Sequence, residues 1–128
     1  MNQIKTLHHE AMNLVDRAAQ FRREGKEEAA REQLRQAFDR ERRAAELTEP
    51  DLKLEPTRSV LHRSAASLAL ECGQLREAER LIAAALSGDP PDEIAEELRD
   101  LLGQVYFDVP PLQRRRPLPD TVQEQAPK

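Results

Sequence analysis

The chain has 128 residues, enough for one domain of ordinary size. Its composition, with 34% charged and only 3% aromatic residues, is typical of a helical protein rich in Ala, Leu, Glu and Arg. A net charge of −4 at pH 7 argues against a general binder of nucleic acids or membranes. The single cysteine, Cys72, excludes an internal disulfide framework and predicts a reducing, cytoplasmic location. Because charged residues precede any long apolar run, we expect neither a signal peptide nor a membrane span.

The first part of the chain is predicted to form two long helices, because all nine prolines lie beyond residue 49. Gly25 is the one break there, so we predict helices over residues 3–24 and 26–47. Apolar residues recur at helical spacing in both, which gives each helix one buried stripe. The stripes are Ile4, Leu7, Ala11, Leu14, Ala18 and Phe21 in the first helix, and Ala30, Leu34, Ala37 and Phe38 in the second.

A linker containing Pro50 and Pro56 is predicted next, because two prolines so close together interrupt a helix. Thr57 is a plausible cap for a third helix over residues 58–72, and Gly73 ends it. A fourth helix is predicted over residues 75–86.

The last predicted helix spans residues 91–107, with Asp89 as a plausible N-cap. Residues 108–128 contain five of the nine prolines and are predicted to form an extended, disordered tail. The sequence therefore predicts an all-α fold of about five helices followed by a Pro-rich tail.

Gly25 and Gly73, which are 48 residues apart, are surrounded by the same pattern of side chains. Alanine stands seven residues before each glycine and five and twelve residues after it, and a large aliphatic residue stands nine after. The matched pairs are Ala18 and Ala66, Ala30 and Ala78, Leu34 and Ile82, and Ala37 and Ala85. Small side chains let two antiparallel helices approach closely, so the pattern predicts two similar helical hairpins.

This pattern resembles the tetratricopeptide repeat, a helix–turn–helix unit of about 34 residues. The resemblance places one unit at residues 11–44, a second at residues 59–92 and a capping helix at residues 91–107. Pro90 matches the proline that closes a unit, whereas the first unit has Arg42 there, which lets its second helix run on. Residues 55–102, "EPTRSVLHRSAASLALECGQLREAERLIAAALSGDPPDEIAEELRDLL", are also similar to a small bacterial group of such proteins, which implies no biochemical activity.

The resemblance implies a binding groove lined by the first helix of each unit. The implied groove residues are Met12, Val15, Ala19 and Arg22 in the first unit, Val60, Arg63, Ser67 and Leu70 in the second, and Glu97 and Gln104 in the last helix. Arg22 and Arg63 could hold a carboxylate or an acidic peptide, since arginine binds carboxylates with two hydrogen bonds. Alternatively, both arginines are solvated or pair within the fold with Glu97 or Asp100.

No catalytic, metal or cofactor site is expected from the sequence. His8 and His9 are adjacent and point about 100° apart on a helix, so they cannot hold one ion together. His62 has no Cys or acidic partner at a metal-ligand spacing. Cys72 is interpreted as a small buried apolar residue, since no base or electropositive setting for a nucleophile is visible.

The sequence favours a non-catalytic adaptor that binds a protein or peptide partner. The alternative is a subunit that contacts a second copy of itself or the product of a neighbouring gene, because three repeats are the usual minimum for a stable array. That contact would bury residues near the chain's two ends, which are Ile4, Leu7, Ile94, Leu101, Val105, Tyr106 and Phe107. Arg114–Arg116 could contact an acidic partner, nucleic acid or a proline-recognition domain, but nucleic acid is disfavoured because no aromatic residue accompanies them.

Overall fold

The computed structural model describes residues 2–108, without the side chain of the last of them, and within this range it is helical and contains no strand. The helices are α1 (Asn2–Arg23), α2 (Glu27–Thr48), α3 (Thr57–Glu71), α4 (Leu75–Leu86) and α5 (Asp92–Asp108), with a short 3₁₀ helix at Leu52–Leu54. The predicted all-α class is confirmed, and each predicted helix end lies within one residue of the observed one. The predicted tail over residues 109–128 lies outside the described residues.

The helices form two antiparallel hairpins, α1 with α2 and α3 with α4. Near the open end of the first hairpin, Nδ1 of His8 lies 3.0 Å from the carboxylate of Glu41. Near the open end of the second, Nη2 of Arg58 donates to the Ala84 carbonyl at 3.1 Å. Helix α3 also packs against α2 and α5, so it lies at the centre of the molecule.

The two hairpin turns have the same geometry. Gly25 and Gly73 have φ values of +75° and +73°, which only glycine adopts without strain. In each turn the N–H just after the glycine donates to a carbonyl five residues earlier at 2.8 Å, from Lys26 to Phe21 and from Gln74 to Ala69. This is the hydrogen bond of a Schellman ending, and it explains why a glycine stands at both positions.

The matched residues around these turns are buried at the helix crossings. The six alanines and the two large aliphatic residues of the predicted pattern are each at most 5% exposed: Ala18, Ala30, Leu34, Ala37, Ala66, Ala78, Ile82 and Ala85. With little aromatic volume in the chain, close approach of the backbones at alanine replaces bulky side chains in the core. The repeated sequence pattern is therefore also a repeated structure.

Helix α2 runs to Thr48, four residues beyond the end of the first predicted unit. This outcome was expected, because Arg42 stands where a proline would close the unit. The following segment, predicted to be only a linker, contains the 3₁₀ helix Leu52–Leu54, which packs against α3. Asp51 initiates that helix by accepting a hydrogen bond from the Lys53 N–H at 2.9 Å.

The two helix caps predicted from the sequence are wrong. Thr57 is the first residue of α3, and the side chain of Glu55 takes the capping role by accepting from the Ser59 N–H at 2.9 Å and the Ser59 hydroxyl at 2.8 Å. Asp89 lies three residues before the first residue of α5, Asp92, and is therefore too early to cap it. The Pro91 carbonyl accepts the first helical hydrogen bond, from the Ala95 N–H at 2.8 Å. The Asp89 N–H donates instead to Glu55 at 3.2 Å, which joins this loop to the start of α3.

Arg58 joins the ends of three helices and is buried. Its Nε donates to the carbonyl of Glu49, which follows α2, at 2.9 Å, and its Nη2 donates to Ala84 near the end of α4. Carbonyls at a helix end lack the N–H partners of the helix interior, so the guanidinium satisfies Glu49 and shares Ala84 with the Ser87 hydroxyl, which donates to Ala84 at 2.9 Å. The contact positions α3 against both of its neighbours.

Candidate functional site

An open groove of about 480 Å³ lies across α1, α3 and α5. Helices α1 and α3 are the first helices of the two hairpins, and α5 is the helix that follows the second hairpin. The lining residues are Met12 and Val15 from α1, Arg63, Ser64, Ser67 and Leu68 from α3, and Glu97, Asp100 and Leu101 from α5.

Five of the ten groove residues that the repeat resemblance implies lie together here. They are Met12, Val15, Arg63, Ser67 and Glu97. Val15 and Arg63 are separated by the same 48 residues as the two turn glycines, and Arg63 and Glu97 are separated by 34. Similar places on three alternate helices, α1, α3 and α5, therefore meet at one groove.

The other predicted residues do not line this groove. Arg22 lies seven residues beyond Val15, about 10 Å further along α1, and lines a second cavity. Leu70 packs against the hydrophobic core, and Val60 is half-buried outside both cavities. Ala19 and Gln104 are exposed but do not line either cavity.

The sequence reasoning missed Ser64, Leu68 and Leu101 as groove residues and named Asp100 only as a possible partner of an arginine. Ser64 lies one helical turn before Ser67, and Leu101 lies one helical turn after Glu97. The spacing rule of neighbouring turns on one helix face could have found both of them.

The charges of the groove are largely matched inside the protein. Nη1 of Arg63 lies 2.8 Å from Oε2 of Glu97, which is the internal pairing that the sequence left open as an alternative. Within residues 2–108, Asp100 forms no ion pair. The lining contains one arginine and two carboxylates, so its net charge is −1.

The second cavity, of about 280 Å³, lies at the hairpin turns and contains Arg22, Arg35 and Cys72. Arg22 pairs with Glu27 at 3.5 Å, rather than with Glu97 or Asp100, and so does not share a site with Arg63. Arg35 pairs with Glu32, and this contact raises the pKa of the guanidinium. The two arginines proposed to act together are therefore in separate places.

Cys72 is half-buried, which corrects the prediction that it is a small buried residue. It is the residue after α3, where the chain turns at Gly73, and its side chain both packs against the hydrophobic core and lines the second cavity. Burial, and then the negative charge of Glu71, raise the pKa of the thiol above its usual value. A raised pKa keeps the thiol protonated, which is opposite to what a nucleophile needs.

Two of the histidines have structural contacts. His8 binds the fully buried carboxylate of Glu41, and the buried His62 donates from Nδ1 to the Arg58 carbonyl at 2.7 Å. Within residues 2–108, no group of three or more His, Cys, Asp or Glu side chains is arranged to hold a metal ion.

The apolar residues near the chain's two ends differ in exposure. Ile4, Leu7 and Val105 are buried inside the fold, whereas Tyr106 and Phe107 are 49% and 86% exposed. Arg114–Arg116 lie outside the described residues.

The fold and the groove define an all-α protein of paired helical hairpins with an open groove across alternate helices. No known protein family, curated protein or solved structure matches the chain. Across residues 2–108, none of the helices combines the length and the apolar character that crossing a bilayer requires.

Proposed function

We propose that the protein is a non-catalytic adaptor of the tetratricopeptide type, which binds a peptide segment of a partner protein in the groove across α1, α3 and α5. One observation carries the proposal. Five residues selected from the repeat resemblance, on three different helices, lie around a single groove. A cytoplasmic location belongs to the same proposal, because the one cysteine is a free thiol.

Two contacts between residues that are 34 apart in the sequence support the repeat interpretation. Arg63 and Glu97 are 34 residues apart and form an ion pair, and Glu55 and Asp89 are also 34 apart and hydrogen-bonded. Two pairs of residues that are one tetratricopeptide unit apart therefore contact each other. Stacked repeats of that length produce such contacts.

The groove has the composition of a binding surface. Met12, Val15 and Leu101 offer aliphatic contacts, and the hydroxyls of Ser64 and Ser67 offer hydrogen bonds to a peptide backbone. Two hairpins and one further helix present a short surface, so we expect a single peptide to bind with micromolar rather than nanomolar affinity.

Filling the groove tests the proposal. Ser67→Trp places a bulky ring in the groove, and Ala83→Trp, on an exposed face of α4, is the matched control. In a pull-down from the native host, we expect the parent and Ala83→Trp to recover the same partner protein in stoichiometric amount and Ser67→Trp to lose it. Equal recovery by all three, with both variants folded by circular dichroism, would contradict the proposal.

Self-association is the second candidate, and the exposure of Phe107 favours it. An aromatic side chain that is 86% exposed at the end of α5 could be covered by a second copy. Light scattering would then show a dimer that Phe107→Ser converts to a monomer, whereas Leu47→Ser, at another exposed apolar residue, would leave it intact. A monomer at all concentrations would exclude this candidate.

A further inference from the structure

The groove has apolar walls and one carboxylate whose charge is not matched. Met12, Val15, Leu68 and Leu101 supply the aliphatic part of the lining. Asp100 lies among them, is exposed, and forms no ion pair within residues 2–108. A ligand that fits this surface needs a positive charge beside aliphatic groups.

The one cationic side chain of the groove is already engaged. The guanidinium of Arg63 is 28% exposed and binds Glu97 at 2.8 Å. A peptide carboxylate that approaches this guanidinium would compete with Glu97 for its charge, and it would meet Asp100, which lines the same groove. Like charges brought together in a partly desolvated groove weaken binding, so an acidic peptide is disfavoured twice.

We infer that the groove selects a basic, aliphatic peptide segment, in which a Lys or Arg reaches Asp100 while neighbouring aliphatic side chains pack against Met12, Val15 and Leu101. The inference rests on the proposed function, since it names the chemistry of the partner segment. It reverses the expectation that paired arginines hold an acidic peptide, because the structure separates Arg22 from Arg63 and pairs each with a glutamate.

The test uses the full chain and a library of random 12-residue peptides. Peptides enriched on the parent protein are sequenced, and the groove is identified as their binding site by shifts of the Met12, Ser67 and Leu101 amides in ¹⁵N-resolved spectra. We expect the groove-binding peptides to contain Lys or Arg next to aliphatic residues and to exclude Asp and Glu.

Two charge-reversal variants show whether Asp100 is responsible. Asp100→Lys and Glu96→Lys make the same change in charge at exposed residues of α5, but only Asp100 lines the groove. We expect Asp100→Lys to raise the Kd of a selected basic peptide by about fivefold at low salt, and Glu96→Lys to change it by less than about twofold.

The outcomes separate this inference from the proposed function. If acidic peptides bind the groove, or if the two variants weaken basic peptides equally, the inference is wrong and the peptide-binding groove stands. If the library yields no peptide that shifts the groove amides, both the inference and the proposed function are overturned.

Discussion

Glu41 and His8 illustrate how this small core accommodates charge. The Glu41 carboxylate is fully buried, and both of its oxygens lie 3.0 Å from Nδ1 of His8. A buried carboxylate without a partner is far more costly than one that is hydrogen-bonded. The pair therefore ties the start of α1 to the last third of α2.

The first prediction concerns the removal of the His8 side chain. His8→Ala should lower the free energy of unfolding by about 2–3 kcal/mol, because it leaves the Glu41 carboxylate buried and unpaired. The neighbouring exposed His9→Ala should change it by less than about 0.5 kcal/mol. Urea denaturation measures both, and equal stability of the two variants would show that the His8 contact is not needed.

Cys72 provides a prediction about reactivity. Because burial and Glu71 raise the pKa of the thiol, less of it is thiolate at pH 8 in the folded chain than in an unfolded one. We expect iodoacetamide to alkylate the folded protein more slowly than the same protein in urea. Equal alkylation rates, after correction for the effect of urea on a free cysteine, would contradict a raised pKa of the Cys72 thiol.

The same raised pKa sets the sign of one pH effect. The folded state holds the thiol proton more tightly than the unfolded state does, so the contribution of Cys72 to stability is present below the unfolded pKa of about 8.5. It is lost as the pH rises from there through the folded pKa. In Cys72→Ala this part of the alkaline decline should be absent.

At the scale of the helices, the close crossing of α3 and α4 depends on Ala78, which has no exposed surface. Ala78→Leu should destabilise the protein by about 1–3 kcal/mol through overpacking. Ala83→Leu, on the exposed side of the same helix, is the control and should leave the stability within about 0.5 kcal/mol of the parent. Thermal unfolding would contradict the packing account if Ala78→Leu melts at the same temperature as Ala83→Leu.

The helices were predictable because local signals mark their ends. Prolines are confined to the region after residue 49, and Gly25 and Gly73 stand where only a left-handed turn residue fits. The functions of Glu55 and Arg58 were not predictable, since they depend on contacts with Asp89 and Ala84 that exist only after the helices pack.

Only part of the groove could be predicted, for the same reason. Repeat positions identified Met12, Val15, Arg63, Ser67 and Glu97, because equivalent places on alternate helices face the same side. Repeat positions do not reveal which charged side chains pair with each other. Arg22 was misplaced because it lies far enough along α1 to face the hairpin turns.

At the scale of the whole molecule, α3 joins the two halves, since it packs against α2, α4, α5 and the 3₁₀ helix. We therefore expect residues 2–108 to unfold in one cooperative transition. Tyr106, the chain's single tyrosine, lies near the end of α5 and reports on that region by its fluorescence. The midpoint of urea unfolding measured by Tyr106 fluorescence should coincide with the midpoint measured by circular dichroism. A fluorescence change at lower urea concentration would show that α5 unfolds independently.

The proposed adaptor role is tested most directly by mapping where the protein's co-purifying partner binds. The partner recovered from the native host is added to ¹⁵N-labelled full-length protein, and the perturbed backbone amides are assigned. The account predicts that the perturbed amides cluster at the groove, around Met12, Ser67 and Asp100, and that Ser67→Trp abolishes the effect. Perturbations confined to α2 and α4, with the groove amides unchanged, would contradict it.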